Sequence, residues 1–280
     1  MSHELIMMAL REDIGDGDVT SEYFIPEERV ACAFLTAREE GVISGISLAE
    51  QVFLEVDQTL KVQILVEDGS RVSKGAMLMR VEGKARSILT AERTALNFIQ
   101  RLSGVATMTA RYVARVKHTR AKILDTRKTT PGYRSLEKKA VKDGGGSNHR
   151  MGLFDRAMVK DNHLVSESGM EMLQSAILRV KADKPHAEVE LEADRLEQVK
   201  EFLELDGVDY ILLDNMSLPE LRDAVSMRQA MHRVRLEASG GVTLETVTEI
   251  AETGVDFISV GALTHSAPSL DIGLDFTPVE

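Results

Sequence analysis

The sequence predicts an α/β protein: a barrel, complete or partial, preceded by a smaller β-rich domain. Three observations predict it. From about residue 121 short apolar runs alternate with helical patterns, as parallel strands joined by crossover helices do. No strand-linked G-x-G-x-x-G is present, which weighs against a doubly wound sheet. The first 85 residues show instead short β-rich runs separated by turn signals.

In that first region 31–37 and 62–66 read as strands and 48–56 as a helix. Asp68-Gly69 and Lys74-Gly75 supply turns, and with Met77-Leu78-Met79 they predict a strand pair. Its likeness to a biotinyl or lipoyl hairpin is superficial, because the presenting turn lacks the lysine. Helical periodicity covers 87–116, with a break expected at Ser103-Gly104; Arg93 and Arg101, eight apart, fall close to one face. Strands follow at 122–124, 157–160, 187–191, 210–213, 234–237 and 257–260, with helices at 135–142, 170–182, 196–205, 219–231 and 243–252. Asp271 to Phe276 is again strand-like and can return to the small domain.

Polar residues gather at the strand ends. Asp125 and Arg127, Lys160 and Asp161, Glu190 and Glu192, Asp214 and Asn215, Glu237 and Ser239, and Gly261 close the six strands in turn. In a barrel these positions share the C-terminal rim, where active sites are assembled.

Charge points the same way. Residues 86–160 carry 17 of the 34 Lys+Arg and only 5 of the 45 Asp+Glu, a local net of +12 in a chain of −11. Such a basic island in an acidic protein focuses a field on a small anionic ligand. Nucleic acid is a weak alternative, since aromatic residues make up 4% of the chain, Trp is absent and no nucleic-acid motif occurs. Cys32 is the sole cysteine, which excludes an internal disulfide and a cysteine-rich metal site. No run of 18 apolar residues and no signal-peptide pattern is present, so no membrane span and a cytoplasmic location are expected.

The cationic run falls into three motifs. Arg127 and Lys128 precede the tight turn Thr129-Thr130-Pro131-Gly132; Gly144-Gly145-Gly146 delivers Ser147-Asn148-His149-Arg150; and Lys160 opens Lys160-Asp161-Asn162-His163. Guanidinium forks at Arg127 and Arg150, with Arg93 and Lys160, suit a dicarboxylate. Lys160 could alternatively form a Schiff base. His163 could brace a loop or bind ligand, and His118, His186 and His232 receive no role. Glu190 and Asp214 are the best candidates for Mg²⁺, through water. Ser239-Gly240-Gly241 and Gly261-Ala262 offer backbone N–H groups for a phosphate.

Together these segments resemble the quinolinate phosphoribosyltransferases, also called nicotinate-nucleotide pyrophosphorylases (carboxylating). The resemblance rests on Leu10-Arg11-Glu12-Asp13-Ile14-Gly15-Asp16-Gly17-Asp18, Glu92-Arg93-Thr94-Ala95-Leu96-Asn97, the runs from Asp125 and Gly144, Lys160-Asp161-Asn162-His163, Leu213-Asp214-Asn215, Ser239-Gly240-Gly241 and Val260-Gly261-Ala262-Leu263-Thr264-His265. It implies an N-terminal α/β open sandwich, residues 1–112 with the tail 266–280 returning to it, and an α/β barrel of fewer than eight strands over 113–265. It further implies a homodimer with shared sites, Arg93 coming from the partner subunit. Arg127, His149, Arg150 and Lys160 would bind quinolinate, and Lys128 either substrate. Glu190, Asp214, Ser239, Gly240 and Gly261 would meet phosphoribosyl pyrophosphate, with Mg²⁺ near Glu190 and Asp214; Lys128, Glu190 and Asp214 would act in catalysis. The implied reaction is decarboxylating phosphoribosyl transfer giving nicotinate mononucleotide for NAD. A same-fold enzyme acting on nicotinate, a molybdenum-transport-associated paralogue and a non-catalytic metabolite-binding module remain alternatives.

Overall fold

The structure is a computed structural model that describes residues 2–160, 169–228 and 233–277. It divides into two compact units: Met1–Ala110 with Thr130–Gly145 and Ser266–Glu280, and Arg111–Thr129 with Gly146–His265.

The first unit is built on a four-stranded antiparallel sheet ordered β12 (Ile272–Thr277), β1 (Val30–Ala37), β5 (Met77–Lys84) and β3 (Lys61–Ile64). Strand β1 alternates as a half-buried strand must, with Ala31, Ala33, Leu35 and Ala37 in the core. Helix α3 (Ile46–Val56) buries Ile46, Ala49, Val52 and Phe53, an apolar stripe at helical spacing. Two helices escaped the sequence patterns, α1 (Ser2–Ile14) and the short α2 (Val19–Phe24). The second is started by Asp18, whose Oδ1 accepts from the Ser21 amide at 3.0 Å. The expected strand pair around Lys74-Gly75 does not form. β4 (Arg71–Val72) pairs instead with β2 (Gly41–Val42), while β5 pairs with β1 and β3.

The break expected at Ser103-Gly104 is also absent: α4 (Ala85–Val116) runs unbroken for 32 residues. Tertiary contact overrides the local signal. Ser103 Oγ accepts from the Ser44 amide at 3.0 Å, and a Cβ at Gly104 would lie 2.0 Å from the Pro268 carbonyl oxygen. Gly104 is therefore a site of close backbone approach, not a hinge. Gly104→Ala is expected to destabilise by about 1–3 kcal/mol through overpacking; an unchanged urea midpoint would contradict this.

Helix α5 (Arg134–Asp143), which the sequence pattern assigned to the barrel, belongs by its contacts to the first unit. Its buried Glu137 accepts from Arg101 Nη2 at 2.7 Å, Lys139 reaches Asp68 at 2.6 Å, and Tyr133 stacks on Phe98 at 5.8 Å. A buried carboxylate needs such a partner, and the α4 guanidinium provides it.

The second unit carries six parallel strands: β6 (Lys122–Leu124), β7 (Arg156–Val159), β8 (Glu188–Ala193), β9 (Tyr210–Asp214), β10 (Arg235–Ser239) and β11 (Phe257–Ser259). Their order is β6-β11-β10-β9-β8-β7, so the last strand pairs with the first and the sheet curls back on itself. Among the described residues no ladder joins β6 to β7, which leaves an incomplete barrel. Near-continuous apolar runs such as Tyr210-Ile211-Leu212-Leu213 are buried, as parallel strands covered on both faces require. Helices α6 (Met170–Asp183), α7 (Leu196–Leu203), α8 (Leu218–Arg228), α9 (Val247–Glu252) and α10 (Ala262–His265) connect or follow them. Asp161, Asn162, His163 and His232 lie outside the described residues.

Candidate active site

At the C-terminal ends of these strands lies a cavity of about 500 Å³, lined by Thr126, Arg127, Lys128, His149, Arg150, Met158, Lys160, Glu192, Leu212, Asp214, Asn215, Glu237, Ser239, Gly240, Gly241 and Ser259. Every strand from β7 to β11 contributes to its wall, as does the loop after β6. That volume suits one or two small substrates. Another hollow of about 430 Å³, in the first unit, is lined by Ile25, Arg29, Val30, Leu89 and Phe276 among others, and gathers no comparable chemistry.

The open seam of the barrel explains how His149 and Arg150 arrive. Leu124 bridges Ser147 in parallel, the Ser147 amide donates to Ile123 O at 2.8 Å, and the Asp125 amide donates to Ser147 O at 3.2 Å. The buried Asp125 carboxylate then accepts from the His149 amide at 2.9 Å. Gly145, at φ 85, makes the turn that leads into this segment. Arg150 follows, its guanidinium donating to Arg156 O at 3.2 Å and Met158 Sδ at 3.3 Å. Burial and the neighbouring Arg127 charge both lower the Arg150 pKa, a repulsion that an anionic ligand would relieve.

Across the cavity, Lys160 Nζ sits 2.6 Å from Glu192 Oε2. Paired with a carboxylate in this way, Lys160 suits the recognition of an anion by charge. Asp214 and Ser239 close their strands, and the turns beyond them interlock. Asn215, with φ 55, donates its amide to Ser239 O at 2.9 Å and its Nδ2 to Asp214 Oδ2 at 2.9 Å. Gly240 has φ 95, and a Cβ there would lie 2.1 Å from Asn215 Oδ1. Only glycine fits, on both counts.

Two expected site residues are placed differently. Glu190 is not in the cavity wall: fully buried, it faces His149 Nε2 at 3.2 Å and Arg156 Nη1 at 3.3 Å. The rim acid of β8 is Glu192, two residues on, because side chains on one strand face advance by two and Glu190 lies a layer deeper. Gly261 sits behind the wall, where a Cβ would press within 3.1 Å of Lys128 Cδ; Thr264 Oγ1 donates to Lys128 O at 2.7 Å. Arg93, expected to serve the site of a partner subunit, is exposed on α4 in the first unit.

At the cavity floor and reaching beneath it is a buried charge cluster that sequence patterns missed. His149 Nε2 lies 3.2 Å from Glu190 Oε2 and 3.4 Å from Glu237 Oε1, and Ser259 Oγ also donates to Glu237 Oε1. Arg156 bridges Glu190 to Glu188, at 2.7 Å from the latter, and stacks over Tyr210 with 4.1 Å to the ring centroid. Burial disfavours the imidazolium, but the two carboxylates outweigh it and lift His149 to about 9. The Arg150 amide, donating to Nδ1 at 2.7 Å, favours the neutral ring instead. In either state the Nε2 proton faces the carboxylates. For Glu190 burial raises the pKa, yet His149 and Arg156 together bring it below the usual range; for Glu237 burial wins and the pKa is raised. His149, Glu190 and Glu237 offer donor atoms within 4.8 Å of one another, but protons and Arg156 already supply the positive charge a metal would bring. One signal was available: Glu190 stands between Val189 and Leu191, and Glu237 between Leu236 and Ala238, acids inside central strands that must be paired.

Residues 18–103 match the family described as quinolinate phosphoribosyl transferase, N-terminal domain, and residues 105–275 its C-terminal domain. A Nicotiana glauca protein named quinolinate phosphoribosyltransferase (decarboxylating) 2, mitochondrial, is 45% identical over 285 residues, covering 97% of this chain and 81% of that protein. The Mycobacterium leprae nicotinate-nucleotide pyrophosphorylase (carboxylating) is 44% identical over 278 residues, covering 98% and 96%. The solved structure of the nicotinate-nucleotide pyrophosphorylase from Francisella tularensis superposes with a TM-score of 0.91 at 38% identity, over 99% of this chain and 96% of that one. With both domain matches in order and relatives of this identity along nearly its whole length, the chain belongs to the quinolinate phosphoribosyltransferase family.

Proposed function

We propose that the protein transfers phosphoribosyl from phosphoribosyl pyrophosphate to quinolinate with decarboxylation, giving nicotinate mononucleotide, pyrophosphate and CO₂ in NAD biosynthesis. The observation that carries this is the gathering of Arg127, Lys128, Arg150 and Lys160 around one cavity at the strand tips. Two carboxylates on one substrate and a pyrophosphate on the other both call for cations. The quinolinate ring nitrogen is itself the nucleophile at ribose C1, so no serine, cysteine or covalent lysine is needed. The positive pyridinium nitrogen stabilises the electron pair left on C2 when the 2-carboxylate departs as CO₂, and a proton then adds at C2.

Arg127, Arg150 and Lys160 hold the dicarboxylate; Lys128 and the Gly240-Gly241 backbone face the phosphates; Asp214 offsets positive charge developing on the ribose. Mg²⁺ fits this donor set through Asp214, a hard oxygen ligand in the cavity wall, and not through Glu190, whose buried carboxylate is occupied by His149 and Arg156. When bound, the ion neutralises charge on the departing pyrophosphate. Among the described residues no helix is long and apolar enough to cross a membrane. A lone cysteine suits the reducing cytoplasm, the proposed location.

Purified protein given quinolinate, phosphoribosyl pyrophosphate and Mg²⁺ should release pyrophosphate and CO₂ in equal amounts, and nicotinate should not replace quinolinate. Quinolinate binding without turnover would favour a metabolite-binding module instead. The exposed Arg93 belongs, in this reading, to the site of a partner subunit. Mixing Arg93→Ala chains with Lys160→Ala chains is then expected to restore activity that neither has alone, and verified heterodimers without rescue would rule the exchange out.

A further inference from the structure

Barrel interiors are ordinarily filled by branched apolar side chains, and a buried ion cluster is seldom the most stable filling. Here the floor of the cavity holds Glu237 and the layer beneath it Glu190, both without solvent exposure, on strands separated only by β9. Each keeps a carboxylate oxygen, Glu190 Oε1 and Glu237 Oε2, with no hydrogen-bond partner in the described structure. Such a group costs stability, so its presence calls for a reason other than packing. The other two oxygens supply it: they flank the same His149 Nε2 at 3.2 and 3.4 Å from two sides.

We propose that Glu190 and Glu237 are positioning residues for the reaction: together they hold the Nε2 proton of His149 between them, fix the imidazole plane, and so set the His149-Arg150 pair that meets quinolinate. Glu190 lies behind the wall, and Glu237, though at the cavity floor, acts through His149. Arg156 secures Glu190 from the neighbouring strand β7, and Ser259 secures Glu237. With the ring anchored, the Arg150 amide bond to Nδ1 and the Asp125 bond to the His149 amide fix the backbone from which the Arg150 side chain leaves. A single acceptor would leave the ring free to swing about its Cβ–Cγ bond; two acceptors on different strands do not.

The inference rests on the proposed function for the identity of the substrate, and the test separates the two. Glu237→Leu removes one acceptor while Glu190 stays to balance Arg156; Glu237→Gln keeps an acceptor oxygen at the same place. For Glu237→Leu quinolinate binding by calorimetry should weaken about tenfold or more, with phosphoribosyl pyrophosphate binding nearly unchanged and the melting temperature held or raised. Glu237→Gln should recover most of the quinolinate affinity. A merely structural role would weaken both substrates alike and lower the melting temperature, which would overturn the proposal. So would unchanged quinolinate affinity in Glu237→Leu, or a greater loss for the other substrate. Ring nitrogen NMR of His149, assigned by the signal missing in His149→Asn, decides the clamp without any substrate: a slowly exchanging Nε2 proton that becomes exchangeable in Glu237→Leu supports it, and an identical signal refutes it. Failure of the unaltered protein to bind quinolinate would instead overturn the proposed function, leaving the NMR result to stand for the clamp.

Discussion

Replacing Arg127 by alanine is expected to weaken quinolinate binding by about 2 kcal/mol or more, roughly thirtyfold in Kd, while leaving the fold at least as stable. Arg127 stands in the cavity wall after β6, and its charge, together with burial, lowers the pKa of Arg150. Two guanidiniums sharing a cavity repel in the free protein and are reconciled by a dianion between them. Removing one therefore relieves strain in the empty site and removes a bidentate partner in the filled one. The signature is a divergence: affinity falls while the melting temperature holds or rises. Calorimetric titration beside a thermal melt reads both. Unchanged affinity would take Arg127 out of the site, and a fall in both would assign it to the fold.

Arg156→Met is expected to do the opposite, lowering stability by about 3–5 kcal/mol, because removing one partner of a buried pair leaves the other charge uncompensated. Glu190 would face only His149, and Glu188 and Tyr210 would lose the guanidinium that links them. The pH dependence follows from the direction of the Glu190 shift. Its folded pKa lies below the ordinary value although burial opposes this, so its contribution is present above about 4.3 and is lost as pH falls. Without Arg156 that contribution vanishes, so the difference between variant and wild type should be largest at neutral pH and narrow towards pH 4. Urea unfolding at both pH values measures it. A constant difference would show that lost packing, not charge, is responsible.

Much of this was legible in the chain itself. Strand 122–124 was foreseen at its observed bounds, and the other five barrel strands within two residues at each end, because buried parallel strands are written as short continuous apolar runs whose environment hardly varies. The cations of the cavity were legible for a related reason: Arg127 and Lys128 precede the Pro131-Gly132 turn after β6, Arg150 follows the Gly144-Gly145-Gly146 run, and Lys160 follows the end of β7. Depth along a strand was not legible. Glu188, Glu190 and Glu192 share one face and one residue type, yet Glu188 meets Tyr210 at the start of the barrel, Glu190 is buried with His149, and Glu192 reaches Lys160.

What the sequence determined by itself is the period-2 and period-3.6 patterning, the turn glycines and the clustering of positive charge; these follow from local backbone sterics and from which side chains tolerate burial. Only the tertiary structure decided that Gly104 continues a helix beneath the Pro268 carbonyl, that α5 joins the first unit through Glu137, and that Glu190 supports the site rather than facing it. Those outcomes depend on which distant group arrives opposite a residue, and the stagger of neighbouring strands and the approach of remote backbone are not written in any short window of the chain.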